Sequence, residues 1–425
     1  MLSETTYMPR IADALLRDRL ESTGAVLIRG PKWCGKTRTA EQAAASSIFM
    51  DDPDQRRGYI ELADTKPSIL LAGNTPRLLD EWQVAPVLWD AVRFAVDRRQ
   101  KPGQFILTGS AVPADDAIFH TGTGRISRLT MRPMSLYESG ESTGQVSLEA
   151  LFRGTADGDA LSNLTLEEIA FAIARGGWPE SVRASQKDAL RHAVDYVDAI
   201  IESDVSRVDE GIRDPMRIAA LLRSIARNIS QPASLNTLRS DTATGLEANV
   251  LSAQTVARYL TALQRIFVVD DLPAWSPALR SRTPIRSTPK RQFTDPSIAL
   301  AAVGRSQEIL LEDFEYFGFL FESMCIRDLR TYADALDGRV FYYRDKTDLE
   351  ADAVIVLRDG RWGAIEIKLG TKSIDEGAAH LIKFSQRVDT GKMGAPSFLM
   401  VLTAGQYGYR RKDGVYITPV GCLKP

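Results

Sequence analysis

Between Ala25 and about Met134 the chain alternates short, nearly all-apolar runs with stretches of helical periodicity. AVLIRG (25–30), SIFMDD (47–52), RLLDEW (77–82), QFILTGS (104–110) and RLTMRPM (128–134) read as strands, and Pro86 to Arg99 reads as one of the helices between them. Strands that are apolar on both faces and separated by helices predict a parallel sheet covered on both sides, an α/β core. A Gly-, Ser- and Asp-rich stretch, roughly 139–163, reads as a connector. From about Leu164 to Val303 the pattern turns helical. Thr165 with Glu168 forms a capping box, RGGWPE (175–180) breaks the helix that follows, and a long amphipathic helix runs from about Gln186 to Val208. Ser252 caps a helix that carries Val256, Leu260, Leu263 and Phe267 at spacings of three and four. From about Phe314 the pattern predicts one apolar helix, then strands, a helix over 374–387 and two closing strands. The implied division is 1–140, a connector 141–163, a helical region 164–303 and a C-terminal α/β domain 304–425.

Composition narrows this picture little. With 44% hydrophobic and 25% charged residues the chain has the balance of a globular protein with real cores. A net charge of −2 gives no global pull toward nucleic acid or membranes, so any such contact must come from a local patch. Cys34, Cys325 and Cys422 are odd in number and far apart, which argues against a disulfide framework and for a reducing compartment. MLSETTYMPR lacks the basic-then-apolar pattern of a signal peptide, and no apolar run approaches the ~18 residues of a membrane span. A cytoplasmic protein is expected.

Chemistry enters at the end of the first strand. GPKWCGKT (Gly30, Pro31, Lys32, Trp33, Cys34, Gly35, Lys36, Thr37) matches G-x-x-x-x-G-K-[ST], follows an apolar strand and opens the helical segment TRTAEQAAA. That context aims backbone N–H groups and a helix N-terminus at a phosphate. ATP is the expected ligand, with Lys36 bridging its β- and γ-phosphates, Thr37 on Mg²⁺, and Arg38 next in line. RLLDEWQ presents Asp80 and Glu81 at a strand's carboxyl end, where ligands of open parallel sheets bind. Asp80 suits the Mg²⁺ shell and Glu81 the activation of water, although both also read as solvated acids. Thr108-Gly109-Ser110 ends the next strand, with hydroxyls placed to sense a γ-phosphate. Arg125 and Arg128 in GTGRISR are candidates for an arginine finger in cis or from a neighbouring subunit in an oligomer, and a surface ion pair is the plainer alternative.

GPKWCGKT, LLDEWQ, ILTGS and GR…RPMSLYE, with RGGWPE and IIESDVSRV further on, resemble prokaryotic AAA-type ATPases that carry a C-terminal domain of unknown function. The resemblance covers essentially the whole chain. It implies a RecA/AAA-like core, then helices with a winged-helix unit, then a nuclease-like fold, and it supplies no biological role.

The C-terminal carboxylates permit a geometric reading. If Arg358, Asp359 and Gly360 make a three-residue hairpin loop, Leu357 pairs with Arg361, Asp352 faces Glu366 and Glu350 faces Lys368. Those four polar residues then share one face, and a one-residue slip would split them. Opposed carboxylates need a positive charge between them, which a divalent metal or Lys368 would provide. Asp352…Glu366-x-Lys368 has the spacing of PD-(D/E)xK nucleases, whose acids bind Mg²⁺ or Mn²⁺ while the lysine orients water. That resemblance places a further acid on the preceding helix, where Glu322 qualifies: it lies in an apolar stripe and is costly to bury without a partner. The plainer alternative is a salt-bridge network on a nuclease-derived scaffold.

LSAQTVARYLTALQRIFVVDDLPAW resembles a recognition helix leading into a wing. The segment 280–291 after it carries Arg280, Arg282, Arg286, Lys290 and Arg291 with no acid among them. DNA phosphates or an acidic face of a protein partner would suit it equally.

Overall fold

A computed structural model describes residues 6–111, 122–205, 209, 214–242, 251–278 and 285–425. The chain divides into two compact units. The first holds the described residues of Met1–Pro133, Asp204–Ile212 and Thr261–Val268, and the second holds the rest.

The first unit is built on a five-stranded sheet. Its strands are β1 (Ala25–Arg29), β2 (Ser46–Phe49), β3 (Arg77–Asp80), β4 (Phe105–Gly109) and β5 (Ile126–Thr130), in the order β2-β3-β4-β1-β5 and all parallel. β1 is buried along nearly its whole length, as its unbroken apolar run predicts. Helices α1 (Ile11–Ser22), α2 (Lys36–Glu41), α3 (Arg56–Thr65) and α4 (Val87–Arg99) accompany the sheet. The Trp82 and Trp89 rings, 5.1 Å apart, join Leu27, Leu79, Leu107 and Val92 in the core.

The second unit contains the seven-stranded sheet β7-β12-β13-β11-β10-β9-β8. Its members are β7 (Ala160–Leu161), β8 (Gly338–Arg344), β9 (Glu350–Leu357), β10 (Trp362–Lys368), β11 (Phe398–Thr403), β12 (Tyr407–Arg410) and β13 (Tyr416–Pro419). The β9–β10 hairpin has the register expected above: Trp362 pairs with Val356 and Ile365 with Ala353, and Gly360 turns with φ 89°. The stretch read as a connector is part of this unit. It holds β6 (Val146–Ser147), which pairs with β14 (Leu423–Lys424) at the far end of the chain, and β7 extends the sheet edge beside β12. Each is only two residues long, too short for alternation to show, and the closing region has four strands rather than two.

Thr165 Oγ accepts from the Glu168 N–H and Glu168 accepts from the Thr165 N–H, so the capping box forms as expected. The long helix from Gln186 is α-helical only to Ala199 and continues in π geometry over Ile200–Asp204, and Val208 lies outside the described residues. The Ser252-capped helix ends at Arg265, and Phe267 follows it with φ 58° instead of continuing the stripe. RGGWPE and RPMSLYE act as internal ties. Gly177 N–H donates to Asp295 at 2.9 Å, Trp178 Nε1 to Ser297 Oγ at 3.1 Å and Leu136 N–H to Asp328 at 3.0 Å. Arg327 bridges Asp295 and Asp328 at 2.9 and 2.8 Å, fully inside the unit.

Among the described residues no helix is long and apolar enough to cross a membrane.

Candidate functional site

β1 delivers the chain to Gly30, whose φ of 154° and close approach to the Met131 carbonyl leave no room for a side chain: an added Cβ would lie 2.1 Å from that oxygen. Gly35, at φ 96°, completes the bend and caps α2. Behind the loop Cys34 is wholly buried with its Sγ 3.7 Å from the Met131 carbonyl, while Trp33 stands half exposed at φ 65°. Lys36 is buried, and its ammonium donates to the Pro31 carbonyl at 2.8 Å. Lys32 pairs with Asp204 at 2.5 Å, and the more exposed Arg38 with Glu41 at 3.3 Å.

The register of the parallel strands brings the acids to the same edge. Thr37 Oγ donates to Asp80 Oδ1 at 2.8 Å, and the Thr108 hydroxyl donates to the same oxygen. Burial pushes the Asp80 carboxyl above its ordinary range, partly offset by the Thr108 and Thr37 hydroxyls. Glu81 follows in the left-handed region at φ 52°, its backbone N–H on Thr108 Oγ at 3.2 Å. Its carboxylate accepts from Ser110 Oγ at 3.1 Å and from the Gln83 amide. Burial raises its pKa too, and the nearby Lys36 ammonium works against the rise.

Two features were not legible in the sequence. Arg10, ahead of α1, is buried and donates to the Cys34 and Arg132 carbonyls, 2.8 Å each, which holds the loop from behind. Tyr7 OH touches Thr39 at 2.8 Å and Asp13 at 2.5 Å. A lone Arg or Tyr ahead of a helix carries no pattern that marks either contact.

Arg125 requires a correction. Ala25 pairs with Ile126, which puts Arg125 at the amino edge of the sheet, and it pairs there with Asp97 at 2.8 Å. A five-residue strand, roughly 16 Å long, separates it from the loop that follows β1, so it cannot serve its own site. Arg128 lies over the Trp89 ring at 5.5 Å.

The C-terminal acids converge as well, on a partner that the spacing did not suggest. Lys290 Nζ lies 2.8 Å from Glu322, 2.7 Å from Glu350 and 3.1 Å from Asp352, while Lys368 pairs with Glu366 at 2.8 Å. The Glu350–Lys368 pair expected from the register is therefore replaced by two separate pairings. The exposed basic patch expected over 280–291 is also corrected. Lys290 and Arg291 are 2% and 4% exposed, Arg291 pairs with Asp271, and Arg286 pairs with Asp348 at 2.9 Å. The acids that neutralise them lie far away in sequence, so the run looked unpaired. Arg280 and Arg282 lie outside the described residues.

Of the two acid groups, only the P-loop pair suits Mg²⁺: a hydroxyl and a carboxylate meet beside an anion-binding loop. At the C-terminal group an ammonium already lies between the acids, and among the described residues no set of three or more His, Cys, Asp or Glu is arranged to hold a metal ion.

Residues 22–140 match the family model of the AAA domain. The matched stretch runs from β1 to β5 and includes the glycine-rich loop and both acids. Residues 166–309 and 317–423 match two further models, each described as a domain of unknown function. Uncharacterized proteins of Mycobacterium tuberculosis and Mycobacterium bovis are each 28% identical over 370 residues, covering 84% of this chain and 73% of theirs. Among solved structures, the Walker-type ATPase of Pyrococcus abyssi is similar with a TM-score of 0.43 and 13% identity, over 70% of this chain and 96% of that one. AMPPCP-bound DnaA from Aquifex aeolicus gives a TM-score of 0.29 and 12% identity, over 61% and 89%.

Proposed function

We propose that this chain is an AAA-type ATPase that binds ATP with Mg²⁺ at the P-loop and hydrolyses it to ADP and phosphate. The observation that carries the reading is the 2.8 Å contact of Thr37 with Asp80 beside a loop whose Lys36 rests on a neutral carbonyl. Backbone N–H groups of Lys32 to Thr37 bind the phosphates, and Lys36 leaves Pro31 to meet the γ-phosphate. Thr37 and Asp80 hold Mg²⁺, which neutralises phosphate charge when bound. Glu81 takes the proton from the attacking water, and Ser110 lies beside it to report on the γ-phosphate.

The reading extends to how the activity is used. Glu81 is held by Ser110 and Gln83 and buried, so its carboxylate must be freed before it can act as a base. This favours a slow switch that passes its nucleotide state to a protein partner through the helical and C-terminal regions. A DNA-driven motor using the segment 280–291 is less well supported, because Lys290 and Arg291 are engaged internally.

Steady-state phosphate release from Mg·ATP tests the core of the proposal. Lys36→Ala should lose both nucleotide binding and turnover, whereas Glu81→Gln should keep binding and lose about 10²–10⁴-fold in turnover. Unchanged turnover in either variant overturns the assignment. Stimulation of the wild type by duplex DNA would restore the motor reading.

A further inference from the structure

Four carboxylates meet in the C-terminal domain, three of them on two paired strands. β9 supplies Glu350 and Asp352, β10 supplies Glu366, and the helix Phe314–Asp334 supplies Glu322. Gathered without a cation, such a set would be strongly self-repelling. Three of the four turn an oxygen to one atom, Lys290 Nζ, at 2.7, 2.8 and 3.1 Å. An ammonium has three N–H donors and no acceptor, so three acidic partners satisfy it completely. The second oxygen of Asp352 accepts from the Ile367 N–H at 2.9 Å, and Glu366 is taken by Lys368 at 2.8 Å.

Lys290 is not a surface side chain that has folded inward. It is 2% exposed, and its backbone is pinned on both sides. Its N–H donates to the Leu272 carbonyl at 3.0 Å and its carbonyl accepts from the Leu272 N–H at 2.9 Å, while the Arg291 N–H donates to Gln231 at 2.9 Å. The ammonium therefore arrives on a rigid rail, inside the second unit, at the point where the acids converge. Burial alone would pull its pKa down, but Glu322, Asp352 and Glu350 more than offset that and hold it charged.

We infer that Lys290 is the resident cation of this cluster, its ammonium taking the place between Glu322, Glu350 and Asp352 that a divalent metal would need. The acid set with nuclease-like spacing is then a closed ion cluster that works without metal, and the wild-type domain does not cut DNA by a metal-dependent route. The inference goes beyond the ATPase reading and stands independently of it.

Mn²⁺ binding to the nucleotide-free full chain, followed by the loss of the free-ion EPR signal, tests it. Comparison with Asp352→Asn isolates this cluster from any ion held near Asp80. The wild type and Asp352→Asn should give superimposable titrations up to millimolar Mn²⁺. Lys290→Ala should gain one Asp352-dependent equivalent, lost again in Lys290→Ala/Asp352→Asn. Asp352-dependent Mn²⁺ uptake by the wild type overturns the inference, as does a folded Lys290→Ala that gains no site. Should Lys290→Ala be too unstable to titrate, Lys290→Met keeps the side-chain volume without the charge. Its melting temperature should then rise with Mn²⁺ while that of the wild type does not, and equal responses of the two overturn the proposal.

Discussion

Glu322 shows how a single buried acid can make stability depend on pH. Burial raises its carboxyl from the ordinary 4.5 to about 8, with the nearby Lys290 ammonium limiting the rise. The folded chain therefore holds this proton more tightly than the unfolded chain does. Its contribution is fully present below about pH 4.5 and is lost as pH climbs toward 8, with a slope of up to ~1.4 kcal/mol per pH unit. Glu322→Gln should flatten that slope, measured as the difference in urea midpoint between about pH 5.5 and about pH 7.5. An equal slope in wild type and variant would remove Glu322 from the account. Lys290→Ala acts on the same cluster with opposite charge logic. It leaves buried carboxylates without a counter-ion and should cost about 3–5 kcal/mol in chemical denaturation. In the first unit the corresponding single-residue lever is Gln83. If its hydrogen bond restrains Glu81, Gln83→Ala should raise basal phosphate release several-fold without altering ATP affinity.

At the scale of elements, the short motifs are where local pattern and tertiary structure agree most closely. The strand–loop–helix of the P-loop was legible because its parts adjoin in sequence. So was the β9–β10 register, since the alternation of acids and apolar residues admits one pairing and Asp359-Gly360 marks the turn. The signal failed where function depends on elements brought together from afar. The role of Lys290 needs acids 32 to 62 positions away, and the place of Arg125 depends on sheet order, which no local pattern states. RGGWPE was legible as a helix breaker but not as a tie. Gly177 packs so tightly that an added Cβ would lie 2.1 Å from the Met134 carbonyl. Gly177→Ala should accordingly destabilise the second unit by about 1–3 kcal/mol, read by urea unfolding, with little change at the P-loop.

At the scale of the whole molecule, the first unit is not one continuous stretch of chain. The first unit draws in Asp204, which pairs with Lys32 of the P-loop, and Phe267, which lies 6.0 Å from the Arg29 guanidinium at the end of β1. A fragment ending at residue 140 contains the matched AAA domain but neither partner. It should melt below the corresponding transition of the full chain and bind nucleotide more weakly, as calorimetry and a fluorescent nucleotide titration would show.

The pairing of β6 with β14 bears on how the protein is made. Ser147 Oγ donates to the carbonyl of Pro425, 278 residues later, at 2.8 Å. At a synthesis rate of ~5–20 residues per second the ribosome needs about 15–55 s to deliver that partner. Throughout that interval the segment around β6 waits unpaired, a natural client for a chaperone, and this strand pair of the second unit forms only once residues 423–425 have been made.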